Sequence, residues 1–540
     1  MSAYVSRINV ASDAYAANRR DMLALIDRLT ALNGRAVAAS ESRKPRFDER
    51  GQLTPRERLA RLLDPGMPFL EIGNMAGYLG DTDDPEKTVP GGSNICGIGF
   101  VSGVRVVVTV DDSGINAGAI TKGGGGRFRR CQRIALQQKL PFIHLVESAG
   151  ANLLNYRVEG WVEGGRLFGN LALLSAAGIP TFTVLHGAST AGGAYMPGLS
   201  DYVVAVKGRG KAFLAGPALL KAATGEVATE ADLGGAEMHA SVSGLAEYLA
   251  EDDGDALRIA RALVSRLDWN ANCPAHSPRQ VRRPVYGADE IAGIVPVDYR
   301  KPYDVHEVWA RIVDGSEILD FKPDYGAATI CANAEVFGQA CGLIGNNGPI
   351  DTDGATKAAQ FIQLCDQAQI PLVFFQNITG YMVGTEYERA GMIKHGSKMI
   401  QAVQNARVTR ITFMIGASFG AGNYGMCGQG YDPDFVFGWP NNLSGVMGGE
   451  QAAKTMTQVM EAAAERKGVE VDRAALEAQE KRLIQHFDSQ SDAFYTSGLL
   501  LDDGVIDPRD TRKVLGFALE TCWEARNRQV SPNSFGVARM

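Results

Sequence analysis

The pattern of apolar and polar positions predicts helices in the first part of the chain. Between residues 14 and 64, apolar side chains recur at helical spacing, as at Met22, Ile26 and Leu29. Polar residues fill the positions between them. We therefore expect this part of the chain to be largely helical before the pattern changes near residue 69.

Short β-like runs then alternate with helical segments. The run at 95–100 is followed by RVVVTV at 105–110, which has the β-branched composition of a strand buried on both faces. A strand is expected at 141–146, a helix at 163–177 and another strand at 181–185. This alternation predicts an α/β fold.

Length and composition divide the chain into two domains. The 540 residues are too many for one hydrophobic core. Residues 270–284 (NANCPAHSPRQVRRP) contain three prolines and no periodic apolar pattern, as a linker does. We therefore predict one domain at 1–275, which includes the N-terminal helical segment, and a second domain at 285–540.

The two predicted domains repeat each other. Three pairs of segments match in the same order: LPFIHLVESAG at 140–150 with IPLVFFQNITG at 370–380, GASTAGG at 187–193 with GASFGAG at 416–422, and YVVAV at 202–206 with FVFGW at 435–439. Their offsets stay between 229 and 233 residues. This indicates duplication of a whole α/β unit, unlike the short periods of a solenoid.

Each repeat has a Gly-rich turn between a strand and a helix, TAGGAY at 190–195 and FGAGNY at 419–424. Glycines allow backbone N–H groups to converge, and the start of a helix adds a positive dipole. Such donors stabilise a carbonyl oxygen that becomes negative during a reaction. For one turn alone, tight packing is the simpler interpretation, but two turns at equivalent places favour two oxyanion holes.

Other catalytic patterns are missing from the sequence. The seven histidines show no H-x-x-H or H-E-x-x-H spacing, and no G-x-S-x-G segment is present. His144 lies in an apolar run, where we expect a hydrogen-bonded core residue. The pairs Asp111–Asp112 and Asp351–Asp353 could bind a metal, but loop capping is favoured. We therefore predict no metal, with the proton acceptor supplied by a bound cofactor.

Two segments combine glycines with basic residues, TKGGGGRFRR at 121–130 and KGRGK at 207–211. The first lacks the GK[ST] ending of a Walker A motif. Each could bind the phosphate of a nucleotide-bearing ligand or form a solvated basic loop, and both interpretations stay open.

Composition excludes several classes of protein. A net charge of −7 provides no basic field for nucleic acid, and no apolar run approaches the ~18–20 residues of a membrane span. The eight cysteines form no C-x-x-C pair, which indicates reduced thiols in a reducing compartment. The first 20 residues lack the apolar core of a secretory signal, and Asp13 and Asp21 argue against a mitochondrial presequence. We expect a cytoplasmic protein.

Longer segments carry a resemblance to a known family. TAGGAYMP (190–197), FLAGPALLKAATGE (213–226) and LGGAEMH (233–239) look like the N-terminal domain of methylcrotonoyl-CoA carboxylase β subunits, and QNITGYMVGTEYE (376–388), GAGNYGMCG (420–428), SGVMGGEQAA (444–453) and the ending FGVARM resemble their C-terminal domain. Gly445 stands where alanine or serine is more usual. The resemblance covers nearly the whole chain and implies tandem crotonase-like carboxyltransferase domains of a biotin-dependent acyl-CoA carboxylase.

The resemblance also implies roles for individual residues. Carboxylated biotin arrives on a partner protein, its ring nitrogen removes the γ-proton of an unsaturated acyl-CoA, and the dienolate attacks CO₂. The amides of Gly192 and Gly193 would hold the thioester oxygen, and those of Ala421 and Gly422 the biotin ureido oxygen. Further substrate-binding residues would be Ala149, Gly150, Ala191, Lys122 and Arg127, and further biotin-binding residues Thr379, Gly380, Gly420, Asn423 and Tyr424. The active site would lie between domains of different subunits.

One stretch departs from the methylcrotonoyl enzymes. They read close to FGRIFYN where this chain has GGRLFGN at 164–170, so Gly164 and Gly169 replace two aromatic residues. Helix-interior glycines cost roughly 0.5–1 kcal/mol each relative to alanine, which suggests a reason for keeping them. The pattern resembles geranoyl-CoA carboxylase most, whose substrate is one isoprene unit longer. The alternative is that neighbouring side chains fill the space and the pocket stays small.

Two parts of a complete carboxylase do not appear in the sequence: an A-M-K-M-like biotinylation segment and an ATP-binding Gly-rich segment. We therefore expect an α subunit that carries and carboxylates biotin, and the resemblance implies a β6 core within an α6β6 complex. Other readings are a methylcrotonoyl-CoA or another acyl-CoA carboxylase β subunit, a decarboxylase subunit and a non-catalytic scaffold. The QNITGYMVG segment disfavours the decarboxylase, and the two intact turns disfavour the scaffold. In a eukaryote the protein would lie in the mitochondrial matrix.

Overall fold

The computed structural model describes residues 2–150, 157–277, 279–468 and 473–533. They divide into two compact units. Unit N contains Ala31–His276, Gly498–Leu500 and the chain from Glu520 onward, and unit C contains the chain before Ala31, Ser277–Ser497 and Leu501–Leu519. The main division, between residues 276 and 277, falls inside the segment 270–284 that the sequence marks as a linker.

The first 30 residues group with unit C, whereas the sequence-based boundaries place them in the domain 1–275. The reason is bonding that the sequence pattern does not reveal. The hydroxyl of Ser6 and the backbone amide of Arg7 both donate hydrogen bonds to the carboxylate of Glu307. These contacts attach the N-terminal segment to unit C.

Helices form where apolar spacing and capping residues favour them. The helices in the described chain up to residue 277 are α1 (Asp13–Glu41), α2 (Lys44–Glu49), α3 (Pro55–Leu62), α4 (Lys122–Gln137), α5 (Val158–Ala176), α6 (Tyr195–Leu199), α7 (Pro217–Thr224), α8 (Glu230–Gly234), α9 (Ala236–Met238) and α10 (Asp253–Ser265). Met22, Ile26 and Leu29 are buried on α1, and α3 begins with a capping box formed by Thr54 and Glu57. The helices predicted at 14–64 and 163–177 are therefore confirmed.

An eight-stranded sheet forms the centre of unit N within the described residues. Its strands are β1 (Leu70–Glu71), β2 (Asn94–Val101), β3 (Val104–Asp111), β4 (Phe142–Ser148), β5 (Thr181–Thr190), β6 (Tyr202–Val206), β7 (Lys211–Phe213) and β8 (Tyr248–Ala250). They lie in the order β1-β2-β3-β4-β5-β6-β8, with β7 beside β5. The hairpin β2–β3 is antiparallel, and from β3 to β8 the pairs are parallel. Every residue of β3 is buried, as its β-branched composition predicts.

Unit C is built from the elements that follow in the chain. Its strands are β9 (Leu319–Asp320), β10 (Thr329–Val336), β11 (Gln339–Asn346), β12 (Leu372–Ile378), β13 (Arg410–Phe419), β14 (Phe435–Gly438) and β15 (Leu443–Gly445). The later helices are α11 (Val305–Trp309), α12 (Thr352–Ala368), α13 (Thr385–Arg389), α14 (Met392–Asn405), α15 (Gly420–Gly425), α16 (Gly449–Lys467), α17 (Arg473–Ser491), α18 (Ala493–Gly498) and α19 (Thr511–Asn527). In the parts of the chain that were searched, no helix combines the length and apolar character needed to cross a membrane.

Seven strands of the first sheet recur in the second with the same order and pairing, and β8 beside β6 is additional in unit N. This agreement confirms the predicted duplication of an α/β unit. The second sheet runs β9-β10-β11-β12-β13-β14, with β15 beside β13. Its first two pairs are antiparallel and the others parallel. Each sheet also has a register shift at the end of its second parallel pair, between Val146 and Ser148 in unit N and between Gln376 and Ile378 in unit C.

The duplication extends to side chains outside the segments matched by sequence. Thr121 caps the start of α4 by accepting from an amide three residues later, and Asp351 caps α12 in the same way. Six residues further along, each helix buries a cation, Arg127 in α4 and Lys357 in α12. The same local construction therefore precedes the second parallel strand in both units.

Candidate functional site

Each unit has a sharp turn where its third parallel-sheet strand ends. After β5, residues Ala191–Ala194 form a 3-10 turn that leads into α6, and after β13 the helix α15 starts at once. The first residue of each turn is left-handed, with φ of 54° at Ala191 and 56° at Gly420. This conformation costs alanine roughly 1 kcal/mol. Ala191 keeps this conformation where the equivalent residue is a glycine, which indicates that both turns need the same backbone path.

A second loop lies against each turn. In unit N, the hydroxyl of Thr190 donates to the carbonyl oxygen of Ala149, and a methyl group added at Gly150 would lie 3.2 Å from that hydroxyl. In unit C, a methyl group added at Gly422 would lie 3.1 Å from the Cα atom of Gly380. The structure therefore brings together, within each unit, the loop and the turn that the sequence singled out.

The geometry of these turns suits hydrogen bonding to an oxygen that carries negative charge. Gly192 and Ala421 occupy equivalent positions and are both exposed, so a ligand can approach the backbone there. Amide groups in the first turn of a helix have no intrahelical acceptor. Gly193 and Gly422 follow directly and are the more enclosed member of each pair. Each turn can thus present neighbouring amide donors to one carbonyl oxygen.

Side-chain hydrogen bonds hold the turns in place. In unit N, the hydroxyl of Ser189 donates to the carbonyl oxygen of Gly193 at 2.8 Å. In unit C, the side-chain amide of Asn423 donates to Ser418 at 2.6 Å, and that of Gln376 donates to the Met426 carbonyl oxygen at 2.7 Å. The Asn423 side chain therefore supports the turn itself, and its contact with biotin stays a prediction.

An exposed tyrosine follows each turn. Tyr424 was predicted as a biotin-side residue, and 49% of its surface is exposed; Tyr195 stands at the equivalent place in unit N, with 52% exposed. Sequence reasoning missed Tyr195, although the offset of 229 residues between the turns points to it. Beneath α15, burial raises the pKa of the Tyr381 phenol, so this hydroxyl stays protonated next to the position of Gly425.

Helix α5 flanks the turn of unit N. Phe168 points toward it: a methyl group added at Gly192 would lie 3.5 Å from the Phe168 ring, which also packs edge-on against Tyr195 with 6.0 Å between ring centroids. Gly164 and Gly169 lie on the same helix, as predicted. A methyl group added at either glycine would have no heavy atom within 4 Å, so open space adjoins both positions.

The segment at 121–130 is the start of α4 and not a loop, and Arg127 is buried. Lys122 is the first residue of α4 and is exposed. The glycines after it allow close packing, since a methyl group added at Gly123 would lie 2.5 Å from the Cα atom of Gly77. Arg127 is 1% exposed and donates to the carbonyl oxygens of Ile72, Gly91 and Asn94 and to the carboxylate of Glu71. This burial contradicts the predicted role of Arg127 in binding CoA phosphates, whereas the role of Lys122 stays a prediction.

Arginines that the sequence did not single out line a cleft in unit N with a volume of about 690 Å³. Arg43, Arg46 and Arg50 recur at the spacing of one helical face around α2 and border this cleft. All three are exposed, and none has an ion-pair partner among the described residues. Arg209 and Lys211, from the other basic segment, lie on the same cleft. The missed signal was the i, i+3, i+7 spacing of arginines at 43–50.

The cleft leads to the Gly-rich turn. Its lining includes Ala149, which accepts the Thr190 hydroxyl, and Ala188, two residues before Thr190 on β5. The cationic face and the loop that contacts the turn thus lie on the same cleft within unit N. Such a surface fits an extended ligand with phosphates at one end and a reactive carbonyl at the other.

The remaining candidates are structural. His144 is buried with its Nε2 atom 3.2 Å from Asp111, which confirms it as a core residue. Asp112 accepts from the Ser40 hydroxyl and from the amide of Gly114. Within the described ranges, no group of three or more His, Cys, Asp and Glu side chains is placed to hold a metal ion.

Comparison with known proteins identifies the family. Residues 47–537 match the carboxyl transferase domain. The chain is 45% identical over 537 residues to the "Probable biotin-dependent acyl-coenzyme A carboxylase beta2 subunit" of Mycobacterium tuberculosis, covering 99% of each. It is 42% identical over 538 residues to the mitochondrial methylcrotonoyl-CoA carboxylase beta chain of Arabidopsis thaliana, covering 98% of this chain and 90% of that one.

A solved structure agrees with these relatives. The crystal structure of the P. aeruginosa geranyl-CoA carboxylase beta subunit superimposes with a TM-score of 0.93 at 52% identity, over 100% of both chains. The duplicated α/β units thus have the crotonase-like carboxyltransferase fold that the sequence predicted. The chain belongs to the carboxyl transferase family and is the carboxyltransferase (β) subunit of a biotin-dependent acyl-CoA carboxylase.

Proposed function

We propose that this subunit transfers a carboxyl group from carboxybiotin, carried on a partner α subunit, to the γ-carbon of geranoyl-CoA. The observation that carries this proposal is the pair of equivalent Gly-rich turns, one in each unit, with exposed backbone at Gly192 and Ala421. A reaction with two carbonyl oxygens that become more negative, one on the thioester and one on the biotin urea, requires two such sets of donors.

The acyl-CoA is assigned to unit N. The amides of Gly192 and Gly193 would donate to the thioester oxygen as the dienolate forms. The CoA phosphates would lie along Arg43, Arg46 and Arg50, because guanidinium groups bind phosphate in a bidentate fashion. This cationic face takes the role that the sequence gave to Arg127.

The acyl chain is assigned to the space beside α5. Gly164 and Gly169 replace aromatic residues of the methylcrotonoyl enzymes, and a methyl group at either position would contact nothing within 4 Å. Both positions are open among the described residues of unit N, as the larger pocket requires. This supports a pocket long enough for the additional isoprene unit of geranoyl-CoA.

The turn of unit C fits the ureido group of biotin. Gly380 has open space where a side chain would be, whereas a methyl group at Gly422 would lie 2.7 Å from Ile378 Cγ1. A flat ring can therefore approach Gly380 while the turn stays rigid behind it. Carboxybiotin would supply both the carboxyl group and, through its ring nitrogen, the proton acceptor. The amides of Ala421 and Gly422 would donate to its ureido oxygen, beside Thr379 and Gly420.

The proposed assembly follows from what this chain does not supply. Biotin attachment and its ATP-dependent carboxylation are assigned to the α subunit, and the β chains to a hexameric core within an α6β6 complex. We place the enzyme in the cytoplasm of a bacterium, or in the mitochondrial matrix of a eukaryote.

The test compares substrates. The purified chain is mixed with its biotinylated α partner, and ATP- and bicarbonate-dependent carboxylation of geranoyl-CoA and methylcrotonoyl-CoA is measured as kcat/KM. A clear preference for geranoyl-CoA is expected. A preference for methylcrotonoyl-CoA would overturn the substrate assignment and leave the reaction class intact, and no turnover with any acyl-CoA would favour a non-catalytic scaffold.

A further inference from the structure

A buried network of charged side chains lies beneath the cationic cleft of unit N. Arg58 on α3 is 1% exposed and forms ion pairs with Glu147 and, at 3.4 Å, with Asp253. Asp253 also lies 2.8 Å from the Nδ1 atom of His186 and accepts from the amide of Leu53 at 2.7 Å. Helix α3, strands β4 and β5 and helix α10 are thereby joined by one hydrogen-bonded cluster.

The cluster reaches the cleft through Glu147. This carboxylate belongs to the cleft lining, as do Gly187 and Arg209. A methyl group added at Gly187 would lie 2.5 Å from Glu147 Cγ, so the glycine leaves room for the acidic side chain to cross β5. Arg209 stands 3.8 Å from Asp253 on the other side. Three residues after Gly187 the strand enters the turn that carries Gly192.

The two repeats differ at this place. In unit C, the residue equivalent to Glu147 is Asn377, and Gly416 leaves room for it in the same way, with 2.4 Å from an added methyl group to Asn377 Oδ1. His186 is replaced by Ile415. The packing of a polar side chain on a glycine is therefore common to both units, whereas the charged cluster belongs to unit N. Unit C forms the same strands and turn without this charge. We therefore relate the charge in unit N to the ligand that this unit binds.

The charge has a direct consequence for a phosphate-bearing ligand. Glu147 is the acidic residue of a cleft whose other charged lining residues are arginines and a lysine. An unpaired carboxylate there would repel an anion and would cost free energy by its own partial burial. Burial lowers the pKa of His186 to about 4, so this ring stays neutral. Arg58 then balances Glu147, and it shares Asp253 with Arg209.

We propose that Arg58 is a positioning residue for the acyl-CoA: it holds Glu147 against β5 and cancels its charge, so that the cleft stays attractive to the CoA phosphates. The inference rests on the proposed placement of CoA along Arg43, Arg46 and Arg50. It assigns no chemical step to Arg58. The effect should appear in the binding of CoA and in KM for the acyl-CoA, with a much smaller effect on kcat.

The test measures CoA binding to the full chain by calorimetry in low salt. Arg58→Met is expected to raise the Kd for CoA about tenfold or more, and the double variant Arg58→Met/Glu147→Gln to return it to within about threefold of the original value. Arg105→Met is the matched control, because Arg105 is 5% exposed, pairs with Glu524 at 3.0 Å in the same unit and does not line the cleft. Its Kd should not change.

Three outcomes would overturn the proposal. They are an unchanged Kd in Arg58→Met, a double variant as weak as the single one, and a loss of affinity in Arg105→Met as large as in Arg58→Met. If Arg58→Met does not fold, Glu147→Gln alone tests the proposal. This variant should bind CoA at least as tightly as the original chain, and weaker binding would overturn the proposal. Arg46→Ala tests the placement of CoA separately from the role of Arg58. An unchanged Kd in this variant would refute the placement of CoA in the cleft, whatever the result for Arg58→Met.

Discussion

Replacing Gly164 by phenylalanine should shorten the acyl pocket without harming the fold. A methyl group added at Gly164 meets no heavy atom within 4 Å, so a larger side chain has space to enter. A glycine inside a helix is also less stable than most other residues by roughly 0.5–1 kcal/mol. We therefore expect the thermal unfolding temperature of Gly164→Phe to stay the same or rise.

The expected change in specificity follows from the apolar area that the ring would displace. The additional isoprene unit of geranoyl-CoA has five carbons, and burial is worth about 0.8 kcal/mol per CH₂ group, or about 4 kcal/mol in total. Loss of even half of this, ~2 kcal/mol, lowers kcat/KM about 30-fold. Methylcrotonoyl-CoA lacks that unit and should lose far less.

The assay is ATP-dependent carboxylation of both substrates by the α–β complex, reported as the ratio of the two kcat/KM values. Gly165→Phe is the matched control: it makes the same change one position along α5, where an added methyl group also meets nothing within 4 Å. Its ratio should stay close to that of the unmodified enzyme. An equal loss on both substrates, or the same shift in Gly165→Phe, would refute the idea that Gly164 sets the depth of the pocket.

The other predictions concern the two turns and one buried acid. Gly193→Val should lower kcat about 100-fold or more. A methyl group added at this position would already lie 3.3 Å from the Ser189 hydroxyl, so the larger side chain would displace the turn. A normal kcat with an unchanged gel-filtration profile would contradict the role of this amide. Gly422→Ala places a methyl group 2.7 Å from Ile378 and should slow carboxyl transfer while KM for the acyl-CoA stays constant, which steady-state kinetics can check. Burial raises the pKa of Asp502 from 3.8 to about 7, so the folded chain keeps a proton there that the unfolded chain releases above about pH 4. Stability should therefore fall between about pH 4 and pH 7, by up to about 4 kcal/mol, and Asp502→Asn should remove this fall in unfolding temperatures measured across that range.

The elements of the fold were predictable where the local pattern and the packing agree. The run at 105–110 is β-branched and forms β3, buried along its whole length, and the repeated segments correctly indicate two sheets of one topology. The glycines at 123–126 are the opposite case. They suggest a flexible loop, yet they lie in α4, where the close approach of Gly77 leaves no room for a Cβ atom at Gly123. The distance between these two residues along the chain conceals the contact from any local pattern.

The Gly-rich turns of the candidate site could be predicted from the sequence more fully than its basic residues. The turns were found because their glycines recur in both repeats, and the structure places the loops at 149–150 and 379–380 beside them. The basic residues that line the cleft were not predicted from the sequence. Arg127 looks like a surface arginine in the sequence, but three carbonyl oxygens from distant residues enclose it. The spacing of the arginines at 43–50 was visible in the sequence, but only the fold places them on the cleft that leads to the turn.

The duplication separates the requirements of the fold from those of each ligand. A left-handed residue at the end of the strand, a glycine against a polar side chain and an exposed tyrosine after the turn occur in both units, so they belong to the construction of the turn. The charge on Glu147 corresponds to the neutral Asn377 in unit C, and the helix glycine at Gly164 is a second feature of unit N. If the turns hold the amide donors as proposed, a substitution in the first class should reduce kcat for every substrate, because it alters the turn that carries them. A substitution in the second class should change KM or the choice of acyl chain and leave the chemistry at the biotin side unaffected, so kinetics with two substrates can assign any further residue to one class or the other.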